Sequence, residues 1–376
     1  MLLLFQISAK KFQRILAVIG GNMISKQRDC ACGKRLATGA VALQRMSVKK
    51  AYARAGVDVD LANKLKRGIG AFVRQTHGPQ VLGKIGGFGG LFHAIFPGMR
   101  EPVLVASVDG VGTKLKIAFA MDKHDTVGAD LVNHCVNDIA VLGARPLFFL
   151  DYIGCERLEP RVFQELLRGL SRACRAAGCA LLGGETAQMP GMYHKGEYDL
   201  AGCIVGVVDR AKIIDGSSIK PGDVVLGLAS NGLHTNGYSL ARKILLEKML
   251  LSLRKVGKEL MRVHKNYQPM LAKAPPGVIK GLAHITGGGL IDNLPRVLPK
   301  NCDAVIETKS WRVPSIFQIL QKNGNVDPEE MYQVFNMGIG IVAIVAERNA
   351  RSAMSILRAK RIGRIERGTG KVRLNF

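Results

Sequence analysis

The sequence predicts an α/β (α+β) protein built from two domains. Apolar runs rich in β-branched residues alternate with amphipathic stretches of helical length. The 376 residues exceed the roughly 250 to 300 at which one hydrophobic core usually stops growing. The segment Asp209 to Asp223, with Lys220-Pro221-Gly222-Asp223 at its end, has the turn composition of a domain connection. We therefore place the domains at 46–215 and 216–376.

The first 45 residues form a basic extension that we expect to lie outside the fold. They hold eight Lys/Arg and one acid, Asp29. An organellar transit peptide and a true translation start at Met46 both account for this composition. The first explanation predicts an organellar protein, and the second predicts a cytoplasmic one.

The formal charge of +25 raises the question of a nucleic-acid partner. The excess lies at the two ends of the chain, and its C-terminal part is spread over predicted helical faces without interleaved aromatic residues. Such a pattern is typical of solvated faces, so we expect no nucleic acid. The longest apolar runs, such as Ile339 to Ala346, are far shorter than the ~20 residues that cross a bilayer, so we expect no membrane partner.

A buried strand is predicted from Val103 to Val108, and Asp109 follows at its end. Gly110 and Gly112 allow a tight turn whose backbone amides approach an anion, and Thr113 and Lys114 add a hydroxyl and a positive charge. A carboxylate repels phosphate, so this arrangement favours a divalent cation between Asp109 and a nucleoside triphosphate. A strand that simply ends in an Asp-Gly turn is the alternative.

A helix is predicted from the Asp125-Thr126 cap to about Leu142. The spacing of its polar residues places them on one side of the helix. A solvated face is the ordinary explanation, but the very apolar strand Leu147 to Leu150 follows and predicts a covered helix, whose carboxylates need a metal or a lysine. The polar residues are Asp130, His134, Asn137 and Asp138.

Two glycine-rich segments flank the remaining strands of the first domain. The segment Lys84 to Leu91 is a loop able to approach a ligand closely, although it matches neither GxGxxG nor a P-loop. After a helix from Pro160 to Gly178, the strand Cys179 to Leu182 brings Glu185 beside two glycines. A further apolar strand, Leu200 to Val208, ends the domain.

The second domain is predicted to open with strand Val224 to Ala229 and a loop that presents His234 between two Asn-Gly pairs. We expect an exposed imidazole able to move a proton; an incidental turn histidine is the alternative. A helix is predicted from Ser239 towards Arg262. The glycine run Thr286 to Gly289 enters a helix at Asp292 and forms a candidate anion site. The strand Gly338 to Val345 and a final basic helix complete the domain.

Six motifs together resemble the phosphoribosylformylglycinamidine cyclo-ligase family, and their order and spacing match it from about Tyr52 to the C-terminus. They are DGVGTK at 109–114, ND at 137–138, GGET at 183–186, MPGMY at 189–193, NGLHTNGYSL from Asn231 and TGGGL from Thr286. Two departures are Gly70, where the family often has lysine, and Val263, where it has proline.

The resemblance implies ATP-dependent cyclisation of phosphoribosylformylglycinamidine to aminoimidazole ribonucleotide in purine biosynthesis, with ATP and Mg2+ as cofactors. It also implies a homodimer in which the N-terminal domains share a β-barrel. The implied metal ligands are Asp109, Asp130, Asp138 and Glu185, and the catalytic residues are His234, Lys114 and Asp109. The implied ATP-binding residues are Gly86, Gly87, Gly89, Gly110, Gly112, Thr113, Lys114 and Asn137, and the substrate-binding residues are Thr286, Gly287, Gly288 and Gly289.

Other protein classes explain less of the sequence. A selenophosphate synthetase-like enzyme needs a reactive Cys or its equivalent in the glycine loop, and Lys84 to Leu91 has none. A formylglycinamidine ribonucleotide synthetase needs a far longer chain. A nucleic-acid-binding protein leaves the clustered carboxylates unexplained, and a silent scaffold is compatible with the sequence.

Overall fold

The computed structural model describes residues 51–376, and Tyr52–Phe376 form one compact unit. The predicted extension at 1–45 and the predicted start at Met46 lie outside the described residues. Two sheets organise the unit, one on each side of the predicted connection. We call the part around the first sheet the first domain and the part around the second sheet the second domain.

The sheet of the first domain has four strands in the order β1-β4-β2-β3. Strand β4 pairs antiparallel with both β1 and β2, whereas β2 and β3 are parallel. The four apolar runs predicted from sequence all fall in these strands. The strands are β1 Pro102–Gly110, β2 Arg145–Cys155, β3 Ala180–Gln188 and β4 Tyr198–Asp209.

Helices cover one face of this sheet, and the two longest pack closely on each other. A Cβ on Gly128 would lie 2.5 Å from the carbonyl oxygen of Leu166, and one on Gly169 would lie 2.6 Å from that of Asp125, so only glycine permits this approach. The helix predicted from Asp125-Thr126 is α4, and the one from Pro160 is α5. The helices are α1 Val59–Gly68, α2 Gly70–Arg74, α3 Leu115–Met121, α4 Val127–Ala140 and α5 Pro160–Ala177.

The sheet of the second domain has six strands in the order β10-β7-β9-β5-β8-β6. Its centre, β5 and β8, is buried along nearly its whole length. The strands are β5 Val224–Ala229, β6 Ile279–His284, β7 Cys302–Glu307, β8 Ile339–Val345, β9 Lys360–Arg367 and β10 Val372–Asn375. The helices are α6 Tyr238–Arg242, α7 Leu253–Leu260, α8 Gln268–Leu271, α9 Gly289–Asn293, α10 Ser315–Gly324, α11 Pro328–Val334 and α12 Glu347–Leu357.

Two predicted helices of the second domain are wrong in extent. The helix expected from Ser239 towards Arg262 is divided: a π-helical turn, Lys243–Lys248, follows α6, and Leu250 then takes a left-handed φ of 51° that ends the helical path before α7. The chain does not end in a basic helix either. After α12 it returns to the sheet as β9 and β10.

The basic residues near the C-terminus therefore lie largely on a strand. Arg361 pairs with Glu347 across 3.0 Å, and Arg364 pairs with Glu307 across 3.0 Å. These cations are exposed, as the interpretation of a solvated face requires. Among residues 51–376, no helix combines the length and apolar character needed to cross a bilayer.

Candidate functional site

The polar side of α4 faces the second domain. Asp130, His134, Asn137 and Asp138, which the helical spacing placed on one side, each contact a residue more than 100 positions away in sequence. The apolar residues of the same helix, such as Leu131 and Ile139, are buried in the core. The stripe is thus a contact between domains rather than a solvated face.

Asp109 lies at the end of β1, as predicted, beside this stripe. Its Oδ2 atom is 2.7 Å from Nε2 of His134, and its Oδ1 atom accepts the backbone N–H of Gly110 at 2.6 Å. Burial raises the pKa of Asp109, but the hydrogen bond and charge of His134 outweigh it and hold the pKa below its usual value. The carboxylate therefore stays ionised and is still partly open to solvent, with 39% of its side chain exposed.

Asp138 lies on the other side of His134. Its Oδ2 atom is 3.8 Å from His134 Nε2 and accepts the hydroxyl of Ser107 at 3.0 Å, while its Oδ1 atom is 2.8 Å from Nδ1 of His284. Burial raises the pKa of Asp138, but His284, His134 and Ser107 together lower it more, so the net direction is downward. Two carboxylates that are both partly exposed thus flank one imidazole, and together they offer a divalent cation hard oxygen ligands.

Three further groups connect these carboxylates through the domain contact. His134 Nδ1 is 2.8 Å from the hydroxyl of Thr235, which is 3.2 Å from Nδ1 of His264. Nε2 of His264 is 3.1 Å from Nε2 of His284. Burial lowers the pKa of His264 far below the usual value, so its imidazole is neutral.

Lys114 does not point towards an open phosphate site. Its ammonium group is fully buried and donates to Oδ1 of Asp130 at 2.8 Å, to the carbonyl of His234 at 3.1 Å and to the carbonyl of Arg262 at 2.7 Å. An ammonium group has three N–H donors, and all three are used here. Burial lowers the pKa of Lys114, although the charge of Asp130 opposes this shift.

Asp130 is likewise enclosed. Its Oδ1 atom also accepts the backbone N–H of His264 at 2.7 Å. Its Oδ2 atom is buried and has no hydrogen-bond partner in the structure. Burial raises the pKa of this carboxyl despite the nearby lysine. Oδ1 of Asp130 is thus engaged by Lys114, and the metal-ligand role expected for this residue stays a prediction.

Both the oxygen and the nitrogen of the Asn137 amide group make hydrogen bonds to the second domain. Its Oδ1 atom accepts the backbone N–H of Tyr267 at 2.9 Å, and its Nδ2 atom donates to the carbonyl of Lys265 at 2.9 Å and to Nε2 of His264 at 3.2 Å. These contacts leave little capacity for a nucleotide. ATP binding by Asn137 stays a prediction.

His234 is buried and not exposed as the sequence suggested. Only 2% of the residue is accessible, its ring stacks on His264 with centroids 4.1 Å apart, and its backbone has a left-handed φ of 63°. Nε2 accepts the N–H of Asn231 at 3.4 Å, and Nδ1 is buried without a partner. Burial lowers the pKa of His234 far below the usual value. A neutral, enclosed imidazole is a poor candidate for proton transfer to substrate.

The predicted glycine turns of the two domains are partly exposed: Gly112 and Gly287 are exposed, whereas Gly289 is buried. Gly112 has a left-handed φ of 68° and open space where a side chain would be, and Thr113 contacts the Ser239 hydroxyl at 3.0 Å. In the second domain, a Cβ on Gly287 would meet Oδ1 of Asn236 at 3.3 Å, so the run Thr286 to Gly289 adjoins the loop that carries His234.

Glu185 and the glycine loop do not lie beside Asp109. Asp109 shares a register row with Gly202, Asp151 and Gly184, whereas Glu185 pairs with Tyr152 in the next row. Neighbouring rows point to opposite faces, so Glu185 lies on the face away from α4. The expected grouping of Glu185 with Asp109 is therefore not present within one chain.

The loop that carries Gly86, Gly87 and Gly89 packs near the strands β2 and β3. A Cβ on Gly90 would meet Leu182, and Phe92 contacts Phe148 with ring centroids 5.2 Å apart. The loop glycines themselves are exposed. They remain available to a ligand at that edge of the sheet.

Sequence reasoning missed three residues of the site: Thr235, His264 and His284. His284 directly precedes the run that begins at Ile285-Thr286, and Thr235 lies within the quoted NGLHTNG segment, so their neighbours carried a signal. The sequence reasoning also did not single out Asp151, which lies in the same register row as Asp109. Burial raises the pKa of Asp151 to about 7.

Comparison with known proteins matches both domains. The family model for the N-terminal domain of AIR synthase related proteins matches residues 94–208, and the model for their C-terminal domain matches residues 220–375. A phosphoribosylformylglycinamidine cyclo-ligase from Syntrophotalea carbinolica is 53% identical over 315 residues, which cover 81% of this chain and 90% of the relative. One from Bacillus cereus is 49% identical over 334 residues, which cover 85% and 96%.

Solved structures at low identity share the fold. Hydrogenase maturation protein HypE in complex with ATP aligns with a TM-score of 0.62 at 20% identity, covering 81% of this chain and 88% of that one. Thiamine-monophosphate kinase from Stenotrophomonas maltophilia aligns with a TM-score of 0.59 at 16% identity, covering 81% and 94%. The identity to the curated relatives and the match of both domain models decide the family, and this chain belongs to the phosphoribosylformylglycinamidine cyclo-ligase family.

Proposed function

We propose that this chain closes the imidazole ring of aminoimidazole ribonucleotide from phosphoribosylformylglycinamidine, at the expense of ATP. The formyl amide oxygen attacks the γ-phosphorus of ATP, and ADP leaves. The amidine-derived nitrogen then attacks the activated carbon, the C–O bond breaks, and inorganic phosphate and a proton depart. Phosphorylation is required because an amide oxygen is otherwise a poor leaving group.

The observation that carries the proposal is the pair Asp109 and Asp138 at the domain boundary, in a chain half identical to cyclo-ligases. Their donor set fits Mg2+, which prefers one or two carboxylates together with substrate phosphates. When bound, the ion would neutralise part of the negative charge of the polyphosphate. Asp109 and Asp138 would hold it. His134 orients Asp109, whereas His284 and Ser107 orient Asp138.

The turn after Asp109 provides the phosphate contacts of the first domain. The turn at Gly112 and the hydroxyl of Thr113 bind ATP oxygens, because both residues are exposed at the strand end. The N–H of Gly110 is donated to Asp109 instead. The exposed loop of Gly86, Gly87 and Gly89 covers the nucleotide. Thr286, Gly287, Gly288 and Gly289 bind the ribonucleotide from the second domain, where Gly288 and Gly289 both have left-handed φ values.

Lys114, Asp130, Asn137 and His234 hold the two domains in register rather than touch the reacting atoms. Side-chain atoms of Lys114, Asp130 and Asn137 make hydrogen bonds that cross the boundary, and His234 accepts one of those from Lys114 with its backbone carbonyl. Their effect on catalysis is indirect, because they fix the distance between the carboxylates of the first domain and the glycine run of the second.

A homodimer formed through the first sheet completes the proposal. The outer face of β1 exposes Leu104 and Val108, which are 63% and 71% accessible, and both edge strands of this sheet are unpaired in the described chain. An open apolar sheet face of this kind favours a partner, and a second copy offers the same face. Glu185 lies on this face, so in such a dimer it would lie at the interface.

Release of ADP that depends on phosphoribosylformylglycinamidine tests the activity directly. We expect ADP and phosphate in equal amounts with formation of aminoimidazole ribonucleotide. ATP hydrolysis at the same rate without the ribonucleotide would contradict the proposal.

A further inference from the structure

A cavity lies where the connection between the two domains passes the end of α4. Its walls are formed by residues from the end of α4 and the start of β2 (140–145), from the connection (211–218), from α8 and the turn after it (268–277), and from β6. Its volume is about 460 Å³, within the roughly 300 to 1,000 Å³ of small-molecule sites. We call it the connection cavity.

The connection cavity is separate from the strand end that carries Asp109. Asp109 pairs with Gly202 of β4, whereas Arg145, on the cavity wall, pairs with Val207 of the same strand. Five residues along a strand span roughly 17 Å. None of the residues proposed above to contact ATP, metal or ribonucleotide lines the cavity. A ligand bound there would therefore occupy a second site.

Apolar side chains form a large part of the lining. Leu271, Ile279 and Leu282 are buried, and they come from α8 and β6 of the second domain. Ile213 of the connection also lines the cavity and is 38% accessible. An apolar ligand would remove this surface from water, which is favourable in proportion to the area covered.

Three cations line the cavity, and two of them have no acidic partner. Nζ of Lys280 lies 2.7 Å from both carboxylate oxygens of the buried Asp223, so its charge is neutralised. Arg145 and Lys212 are exposed, and among residues 51–376 neither lies within 4.0 Å of a carboxylate oxygen. These two cations remain free to pair with an anion.

The groups that would repel an anion here are already hydrogen-bonded. Asp215, the one carboxylate of the lining, accepts the N–H of Ser217 at 2.9 Å and its hydroxyl at 2.7 Å. Carbonyl groups at a helix end disfavour anions, but beyond the end of α4 the carbonyl of Leu142 accepts the N–H of Ile214 at 3.2 Å. Asp215 keeps its negative charge, and the two free cations exceed it by one.

We propose that the connection cavity binds a small organic anion. Its charged group pairs with Arg145 and Lys212, and its apolar body lies against Ile213, Leu271 and Leu282. A bare inorganic anion would leave the apolar lining in water, and a neutral apolar molecule would leave the cations unpaired. Because the walls come from both domains and from the connection, the bound molecule contacts all three and stabilises the folded chain.

The inference does not depend on the proposed activity, since binding alone tests it. The full-length chain is titrated with 1-naphthyl phosphate and with 1-naphthoate, a phosphate ester and a carboxylate on the same apolar body. Controls are 1-naphthol, which is neutral, and inorganic phosphate, which has no apolar body. We expect one saturable site per chain and a rise in melting temperature with at least one organic anion, and at least tenfold weaker binding of both controls.

Competition distinguishes the connection cavity from the nucleotide and ribonucleotide sites. Saturating ATP with Mg2+, or saturating aminoimidazole ribonucleotide, should leave the affinity for the organic anion unchanged. Displacement by either compound would assign the anion to the site already described and would overturn the inference.

Variants place the bound anion in the cavity. Lys212→Glu should weaken binding at least tenfold because it reverses a free charge, and Ala272→Trp should weaken it because a large side chain at this exposed lining position fills the cavity. Lys300→Glu is the matched control, since it makes the same charge change at an exposed lysine outside the lining. It should leave the affinity unchanged.

Three further results would overturn the inference. One is the absence of saturable binding of both organic anions to the wild-type chain. Another is wild-type affinity in both Lys212→Glu and Ala272→Trp, with both variants folded by circular dichroism. The third is equally tight binding of 1-naphthol, which would show that the free cations do not select the ligand.

Discussion

Nζ of Lys114 and Oδ1 of Asp130 lie 2.8 Å apart, and neither side chain is exposed to solvent. The lysine follows the strand-end turn of the first domain, and it also holds the carbonyls of His234 and Arg262 from the second. A residue that the sequence suggested for phosphate binding thus connects two domains. The pair makes the contact between the two domains depend on a buried ion pair.

Removing the lysine alone should destabilise the fold strongly. Lys114→Met leaves the Asp130 carboxylate buried without its partner, and the expected loss is about 3 to 5 kcal/mol of unfolding free energy. Chemical denaturation measures it.

The matched double variant Lys114→Met/Asp130→Leu should recover much of this loss, because both charges are then absent. The opposite pattern, wild-type stability of Lys114→Met with greatly weakened ATP binding, would restore the phosphate role for Lys114.

Asp109→Asn should remove activity and keep the fold. The amide oxygen can still accept the hydrogen bond from His134, but the charge that we propose for Mg2+ binding is lost. We expect turnover to fall by roughly 10² or more, the range seen when a single electrostatic contact of a transition state is removed. Steady-state kinetics and thermal melting measure the two effects. Ser107→Ala, which removes only a hydrogen bond to Asp138, serves as the milder comparison. Full turnover in Asp109→Asn would exclude the metal-ligand role.

Stability should fall as the pH drops below about 6.5, because His234 and His264 are neutral in the fold and take up protons on unfolding. Their folded pKa values are far below the usual 6.5, so the stabilising contribution is complete above 6.5 and is lost as the pH falls towards the folded values. His134 acts in the opposite sense: its pKa is raised, since the nearby carboxylates outweigh burial, so its contribution is lost only as the pH rises. Each buried neutral histidine adds about 1.4 kcal/mol per pH unit to the slope.

His234→Asn tests the contribution of His234 to this dependence. Asparagine tolerates the left-handed backbone at this position and does not titrate. Urea denaturation between pH 7.5 and 5 should show a shallower loss of stability than in the wild type. An identical slope in the two proteins would show that His234 is already protonated or exposed in the folded state.

The outer face of β1 should control the oligomeric state. Leu104→Glu/Val108→Glu places two charges on the apolar face, and we expect the dimer to become a monomer in analytical ultracentrifugation. The control is Ile319→Glu, an exposed position on α10 in the second domain that is 39% accessible. A dimer that persists in the double variant would move the interface away from this sheet.

Local sequence patterns were sufficient for the parts of the site that lie on one element. The β-branched run predicted β1 and the position of Asp109 at its end, and the helical spacing placed Asp130, His134, Asn137 and Asp138 on one side of α4. The family resemblance rested on motifs that are short and contiguous. These features depend on the period of a helix or a strand, which the chain carries locally.

Local sequence patterns did not predict the strands β9 and β10. Lys360–Arg367 is rich in arginine and alternates only weakly, so its charge predicted a solvated helix. In the fold it lies between β7 and β5 and buries Ile362 and Ile365. Its strand conformation is supplied by pairing with residues distant in the chain, which no local window contains.

The sequence by itself determined which side chains share a face, and only the tertiary structure decided what that face meets. It decided that Lys114 turns to Asp130 rather than to a phosphate, that His234 is enclosed, and that Glu185 lies on the opposite side of the sheet from Asp109. It also brought His264 and His284 to α4. The reason is physical: burial and charge pairing depend on neighbours across the domain boundary, and those neighbours are more than 100 residues away along the chain.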